Sequence, residues 1–101
     1  MSNVYFITRH SGALEWLNEK GFDAPEIITH WVDNNTSKLK QGDIVIGILP
    51  IDIIAEINNR GARFIYLSIK NLPQEFRGKE LTKEQLIDFG ASLQEFFVKS
   101  I

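Results

Sequence analysis

The chain has no cysteine, which excludes disulfides and thiolate metal sites. It has only two histidines, His10 and His30, a poor supply of ligands for a transition-metal centre, so no metal and no cofactor is expected. No apolar run approaches the roughly 18 residues that span a bilayer, and residues 1–9 lack the pattern of a secretory signal. The expected protein is therefore cytoplasmic and has no membrane partner. It also lacks the excess of positive charge that holds a long nucleic acid: the net charge is −2, which argues against a general polyanion binder.

What is present fits one small domain, residues 1–101. A chain of 101 residues with 44% hydrophobic content can build one modest core, and no internal repeat divides it. The charge is unevenly spread. Between Arg60 and Lys83 stand six cations against Glu75 and Glu80, so this window carries +4 and the remainder −6. A local positive patch on an acidic protein suits a small anionic ligand better than a long one. A solvated surface with uneven charge explains the same numbers equally well.

Residues 3–8, NVYFIT, are β-branched, aromatic and apolar on both faces, as a buried parallel strand is. Ser11 can cap the helix that follows, with Leu14, Trp16 and Leu17 on its inner stripe before Gly21 stops it. EIITHWV (26–32) reads as a second strand, with His30 partly buried inside it. Residues 33–43 are polar, with room for one helical turn. DIVIGIL (43–49) is a third strand. Pro50 suits a first helical position, opening a helix that runs to Gly61. ARFIYLSI (62–69) is the fourth strand, and the irregular segment 70–81 follows it. Thr82 and Gln85 form a capping box for a last helix, 83 to about 99, whose inner stripe would be Leu86, Phe89 or Gly90, Leu93, and Phe96 or Phe97.

This order predicts an α/β fold: a small Rossmann-like parallel sheet flanked by three helices. Right-handed crossovers give the strand order 2-1-3-4, with the direction of winding reversing between strands one and three. The fourth strand then forms the sheet edge. Ligands in such sheets bind beyond the carboxyl ends of the strands at the reversal, which here is flanked by Thr8-Arg9-His10-Ser11 and Gly47-Ile48-Leu49-Pro50.

Within those loops Arg9 offers a cation, and His10 a group whose ordinary pKa suits acid–base work. A surface histidine beside an arginine is the plainer reading of His10. Gly47 lets a ligand approach the backbone, and Leu49 has no side-chain oxygen to occupy the free amides at the start of the next helix. Water or Asp52 could fill that role. FRGKEL (76–81) brings Arg77, Gly78, Lys79 and Glu80 into the loop after the fourth strand, which itself carries Ser68 near its end. Arg77 can grip a phosphate through its planar fork, with Glu80 orienting it, or simply pair with an acid in a solvated turn. Trp31 reads either as core or as a stacking surface for a base.

Taken together, YFITRHSGALEW, GDIVIGILP, RGARFIYLSI and FRGKEL resemble a small family of CRISPR-associated proteins of type III loci, over about residues 3–98. The residues that carry the resemblance are Thr8-Arg9-His10 with Gly12, Gly42-Asp43, Gly47 with Leu49-Pro50, and Arg77-Gly78 with Glu80-Leu81. Ile48 stands where the family is expected to have Thr, which removes one hydroxyl contact.

The resemblance implies a CARF-like fold and a ring nuclease, an enzyme that opens cyclic oligoadenylate, cyclic tetra-adenylate foremost, and so switches off type III CRISPR signalling. It implies a homodimer and a metal-independent reaction in which the ligand's own ribose 2′-hydroxyl attacks the adjacent phosphorus. On that reading Arg9, His10 and Arg77 would be the catalytic residues. Thr8, Ser11, Gly47, Ile48, Leu49, Pro50, Ser68, Gly78, Lys79 and Glu80 would contact the ligand. Two other classes remain open: a module that binds or sequesters cyclic oligoadenylate without cutting it, and a protein-interaction subunit with an empty crevice.

Overall fold

In the computed structural model, which describes residues 3–8, 11–22 and 25–101, five strands form one sheet in the order β2-β1-β3-β4-β5. Strands β1 (Val4–Ile7), β2 (Glu26–Ile28), β3 (Ile44–Gly47) and β4 (Arg63–Ile69) run parallel, and β5 (Ala91–Phe96) runs antiparallel against β4. The four parallel strands follow the order 2-1-3-4 expected from right-handed crossovers. The winding reverses between β1 and β3, which pair with Tyr5 opposite Val45 and Phe6 opposite Ile46.

Among the described residues four α-helices flank the sheet: α1 (Ser11–Glu19), α2 (Asp33–Lys38), α3 (Ile51–Asn59) and α4 (Lys83–Asp88), with a 3-10 turn at Gln74–Phe76. Alternation along the strands divides the core in two. Phe6, Ile46, Ile65 and Leu67 pack with Ala13, Trp16 and Leu17 of α1, Leu81, and Leu86 of α4. On the other face Val45 and Phe64 pack with Ile54 and Ile57 of α3 and with Leu39, just past α2. The crossover α1 that precedes the reversal therefore covers one face, and α2 and α3, which follow it, cover the other, as the reversal requires.

Three sequence expectations need correction. The helix expected from 83 to 99 ends after Asp88, and residues 91–96 form β5. Gly90 adopts φ +76°, a left-handed conformation that glycine takes without strain and that terminates a helix. The chain then turns back, with the Asn71 amide donating to the Phe89 carbonyl at 2.9 Å, and Leu93 pairs with Leu67 across the new ladder. In consequence β4 is an interior strand, the edge is β5, and the helices among the described residues number four.

The second strand is the next correction. It stops at Ile28 because its partner stops: β1 ends at Ile7 opposite Ile28, and the Thr8 amide adds one further bond to the Ile28 carbonyl at 3.3 Å. His30 consequently lies outside the strand and is exposed. The third concerns Pro50, which sits one place earlier than expected, with φ −58° and ψ 149° before the helix begins at Ile51. Its carbonyl accepts from the amides of Ile53 and Ile54, each at 3.1 Å.

Outside these cores, two polar clamps order the chain. Asp43 is buried, and its two carboxylate oxygens accept from the amides of Asn3 and Lys40, each at 2.9 Å. Asn58 donates to the Ala62 carbonyl at 3.0 Å and accepts from the Val98 amide at 2.7 Å, tying the segment after β5 to α3.

Candidate functional site

A crevice of about 370 Å³ opens at the carboxyl edge of the parallel strands, lined by Ile7 and Thr8 from β1 and its end, Ile48 and Leu49 after β3, and Leu67 and Ile69 of β4. Thr29, His30 and Trp31, just past β2, complete the lining. This is the reversal point between β1 and β3. The floor is aliphatic, and Thr8, Thr29 and His30 bring polar groups to it. No aspartate or glutamate is among these lining residues, so an anion would meet no like charge there.

The backbone around the crevice is drawn tight by Gly47. It is buried, adopts φ +153°, and a side chain there would place its Cβ 2.8 Å from the Ile7 carbonyl oxygen. Only glycine allows β1 and β3 to run this close at the crevice mouth. Soon after it, Pro50 supplies no side-chain cap to α3, whose first turn carries Asp52, and the Ile53 amide is taken up by the Pro50 carbonyl.

Of the residues expected from sequence, Thr8, Ile48 and Leu49 line the crevice, and Gly47 and Pro50 adjoin it in the chain. Arg9 and His10 lie outside the described residues, as does the side chain of Ser11. Ser68 is half-buried on β4, paired with Ser92 of β5, while its neighbours Leu67 and Ile69 take the crevice wall. Arg77, Gly78, Lys79 and Glu80 are all exposed and do not line the crevice. Among the described residues the Arg77 guanidinium makes no ion pair, and the Lys79 ammonium lies 6.0 Å from the centre of the Phe76 ring.

The loop carrying Arg77 is nevertheless nearer the reversal point than its place after β4 suggests. It runs back to α1, where the Leu81 carbonyl accepts from the Gly12 amide at 3.3 Å. Gly12 is indispensable to this approach, because a Cβ there would fall 2.2 Å from the Lys83 amide nitrogen. Lys83 then secures α4 to α1 by donating to Glu19, with Glu15 at 3.8 Å. The hydrogen bond to Glu19 holds the Lys83 ammonium above its ordinary pKa.

Thr29 and His30 are residues that sequence reading did not assign to the site, while Trp31, read as either core or a stacking surface, both packs against the core and lines the crevice. Their signal was the Thr-His-Trp run itself, masked by β-propensity that extends the apparent strand to Val32. Among the described residues no three His, Asp or Glu side chains come together as a metal ion would require, and no helix is long and apolar enough to cross a membrane.

The fold and crevice define a small, mostly parallel α/β domain with a ligand-sized opening at its switch point. Residues 5–99 match the model of a family described as "Putative CRISPR-associated protein (Cas_VVA1548)". The chain belongs to that family. Comparison with curated proteins and with solved structures yields no match.

Proposed function

We propose that the protein is a ring nuclease that opens cyclic oligoadenylate, cyclic tetra-adenylate foremost, and so ends a type III CRISPR signal. The observation that carries this reading is the carboxylate-free crevice at the β1–β3 reversal, in a chain whose family is CRISPR-associated. The resemblance of its loops to ring nucleases supplies the substrate class.

The reaction needs no nucleophile from the protein. The ligand's 2′-oxygen forms a bond to the neighbouring phosphorus as the bond from phosphorus to the 5′-oxygen breaks. A proton leaves the 2′-hydroxyl and one reaches the departing 5′-oxygen, so the products end in a 2′,3′-cyclic phosphate and a 5′-hydroxyl. The protein's part is to hold the attacking oxygen in line and to stabilise negative charge on the phosphoryl oxygens. Arg9, and Arg77 reaching in from the loop that docks on α1, serve the second task. His10 follows Arg9 in the loop after β1 and is assigned the proton transfer.

A crevice of about 370 Å³ lies at the low end of ligand pockets, which run from about 300 to 1,000 Å³. That suits one nucleoside and not a ring of four. The ring is accordingly shared by a homodimer whose two crevices face one cavity across a two-fold axis.

Arg9→Ala tests the assignment: its rate of ring opening should fall at least about tenfold, a loss of about 1.4 kcal/mol in transition-state stabilisation, with the melting temperature unchanged. Wild-type cleavage by this variant would move the site elsewhere. Turnover of excess substrate separates an enzyme from a module that only binds.

A further inference from the structure

We infer that Trp31 is the platform on which one adenine base of the ligand stacks, and that Thr36 holds it in position; this rests on the cyclic oligoadenylate reading.

The indole is half-buried. It packs against the core cluster beneath α3, together with Ile7 and Leu49, while it also lines the crevice. Its N–H is already satisfied, donating to Thr36 Oγ1 at 2.8 Å. Thr36 is itself buried on α2 at 8% exposure, so the bond fixes the ring from a rigid support. A tryptophan with its one donor occupied has only its π surface left to offer a ligand.

Base–aromatic stacking uses that surface and is open to any base, since every base presents a π-face. The same opening carries Thr29 and His30, exposed and able to reach the polar edge of a stacked base, and no carboxylate to repel the attached phosphate. An aliphatic ligand would leave these polar groups unpaired. The volume admits one nucleoside, which matches a single platform per subunit. Thr36 is a positioning residue: it touches the indole and not the ligand.

The chain's two tryptophans make the test direct, because Trp16 is 2% exposed in the other core and serves as an internal reference. Tryptophan emission is followed while wild type, Trp31→Phe and Trp31→Ala are titrated with adenosine 5′-monophosphate and, separately, with cyclic tetra-adenylate. Ring binding is measured in parallel with labelled ligand. Both nucleotides should quench wild type and leave the Trp16 emission of Trp31→Phe unchanged. Trp31→Ala should bind the ring at least about tenfold more weakly. Thr36→Val should weaken binding while shifting Trp31 emission in the free protein, a change that lost stability alone would not cause.

Wild-type ring affinity in Trp31→Ala would overturn the platform and leave the ring-nuclease reading standing. Quenching of Trp31 by the mononucleotide with no ring binding would overturn the ring reading and support the platform. Absence of both signals would overturn both.

Discussion

The Gly12 amide donates to the Leu81 carbonyl at 3.3 Å, and this contact helps bring the loop of Arg77 to the start of α1. Alanine at position 12 would gain up to about 1 kcal/mol in helix propensity. Against that stands a methyl 2.2 Å from the Lys83 backbone nitrogen and 2.4 Å from the Thr82 carbonyl carbon, which neither segment can yield without breaking the docking. Overpacking against backbone costs about 3 kcal/mol, so the clash wins. Gly12→Ala should lose about 2 kcal/mol in urea unfolding, and a stability equal to or above wild type would show that the loop is not docked this way.

Asp43 was read from sequence as part of a family signature, and the structure gives it work at the amino edge of the sheet, away from the crevice. Its carboxylate joins the starts of β1 and β3 through the amides of Asn3 and Lys40. Asp43→Ala strands both donors and should cost about 3 kcal/mol. Ring affinity, measured well below the melting temperature, should stay at the wild-type value; a binding defect with intact stability would return Asp43 to the site.

The edge strand β5 is held to β4 by a forked pair, Arg63 Nε to Glu95 Oε2 at 2.8 Å and Nη2 to Oε1 at 2.7 Å. These hydrogen bonds, reinforced by the Arg63 charge, hold the Glu95 pKa below its ordinary 4.5. A carboxyl depressed in the folded state stabilises the fold above its unfolded pKa and loses that contribution as pH falls through the folded one. Both side chains are about half exposed, so solvent limits the pair to at most about 1 kcal/mol. Glu95→Gln should therefore be slightly less stable than wild type at pH 7, with the gap closing below pH 4.5. A gap that persists at pH 2 to 3 would assign the loss to packing and not to charge.

Much of this architecture was legible in the chain. The apolar runs read at 3–8, 43–49 and 62–69 contain the strands Val4–Ile7, Ile44–Gly47 and Arg63–Ile69, and crossover handedness then fixes the order of four. Gly90 shows where local reading fails: inside an apolar spacing that suits a helix it looked like one more face position, yet its left-handed conformation ends the helix and frees residues 91–96 to pair with β4. The end of β2 was hidden for a different reason. Ile-Ile-Thr-His-Trp-Val favours a strand throughout, and only the length of β1, its partner, stops the ladder at Ile28 and releases Thr29, His30 and Trp31 into the crevice. The place of Thr8, Ile48 and Leu49 at the crevice was legible because the reversal point follows from strand order alone. The return of the Arg77 loop to α1 was not, because it depends on a contact between residues 12 and 81.

Arg77→Ala should weaken ring binding, with the deficit relative to wild type widening as salt is lowered, since phosphate contacts are screened at high ionic strength. A deficit independent of salt would mean that Arg77 acts through the fold of its loop. Equal affinity at every salt concentration would remove the loop from the site.

The central claim is that the chain opens cyclic oligoadenylate without a metal ion, using the ligand's own hydroxyl. The most direct measurement is incubation of labelled cyclic tetra-adenylate, in molar excess over the protein, with excess EDTA and with products resolved by chromatography. The account predicts multiple turnovers to linear products ending in a 2′,3′-cyclic phosphate and a 5′-hydroxyl, at the same rate with and without the chelator. An intact ring after prolonged incubation, or cleavage that stops in EDTA and returns with magnesium or manganese, would contradict it.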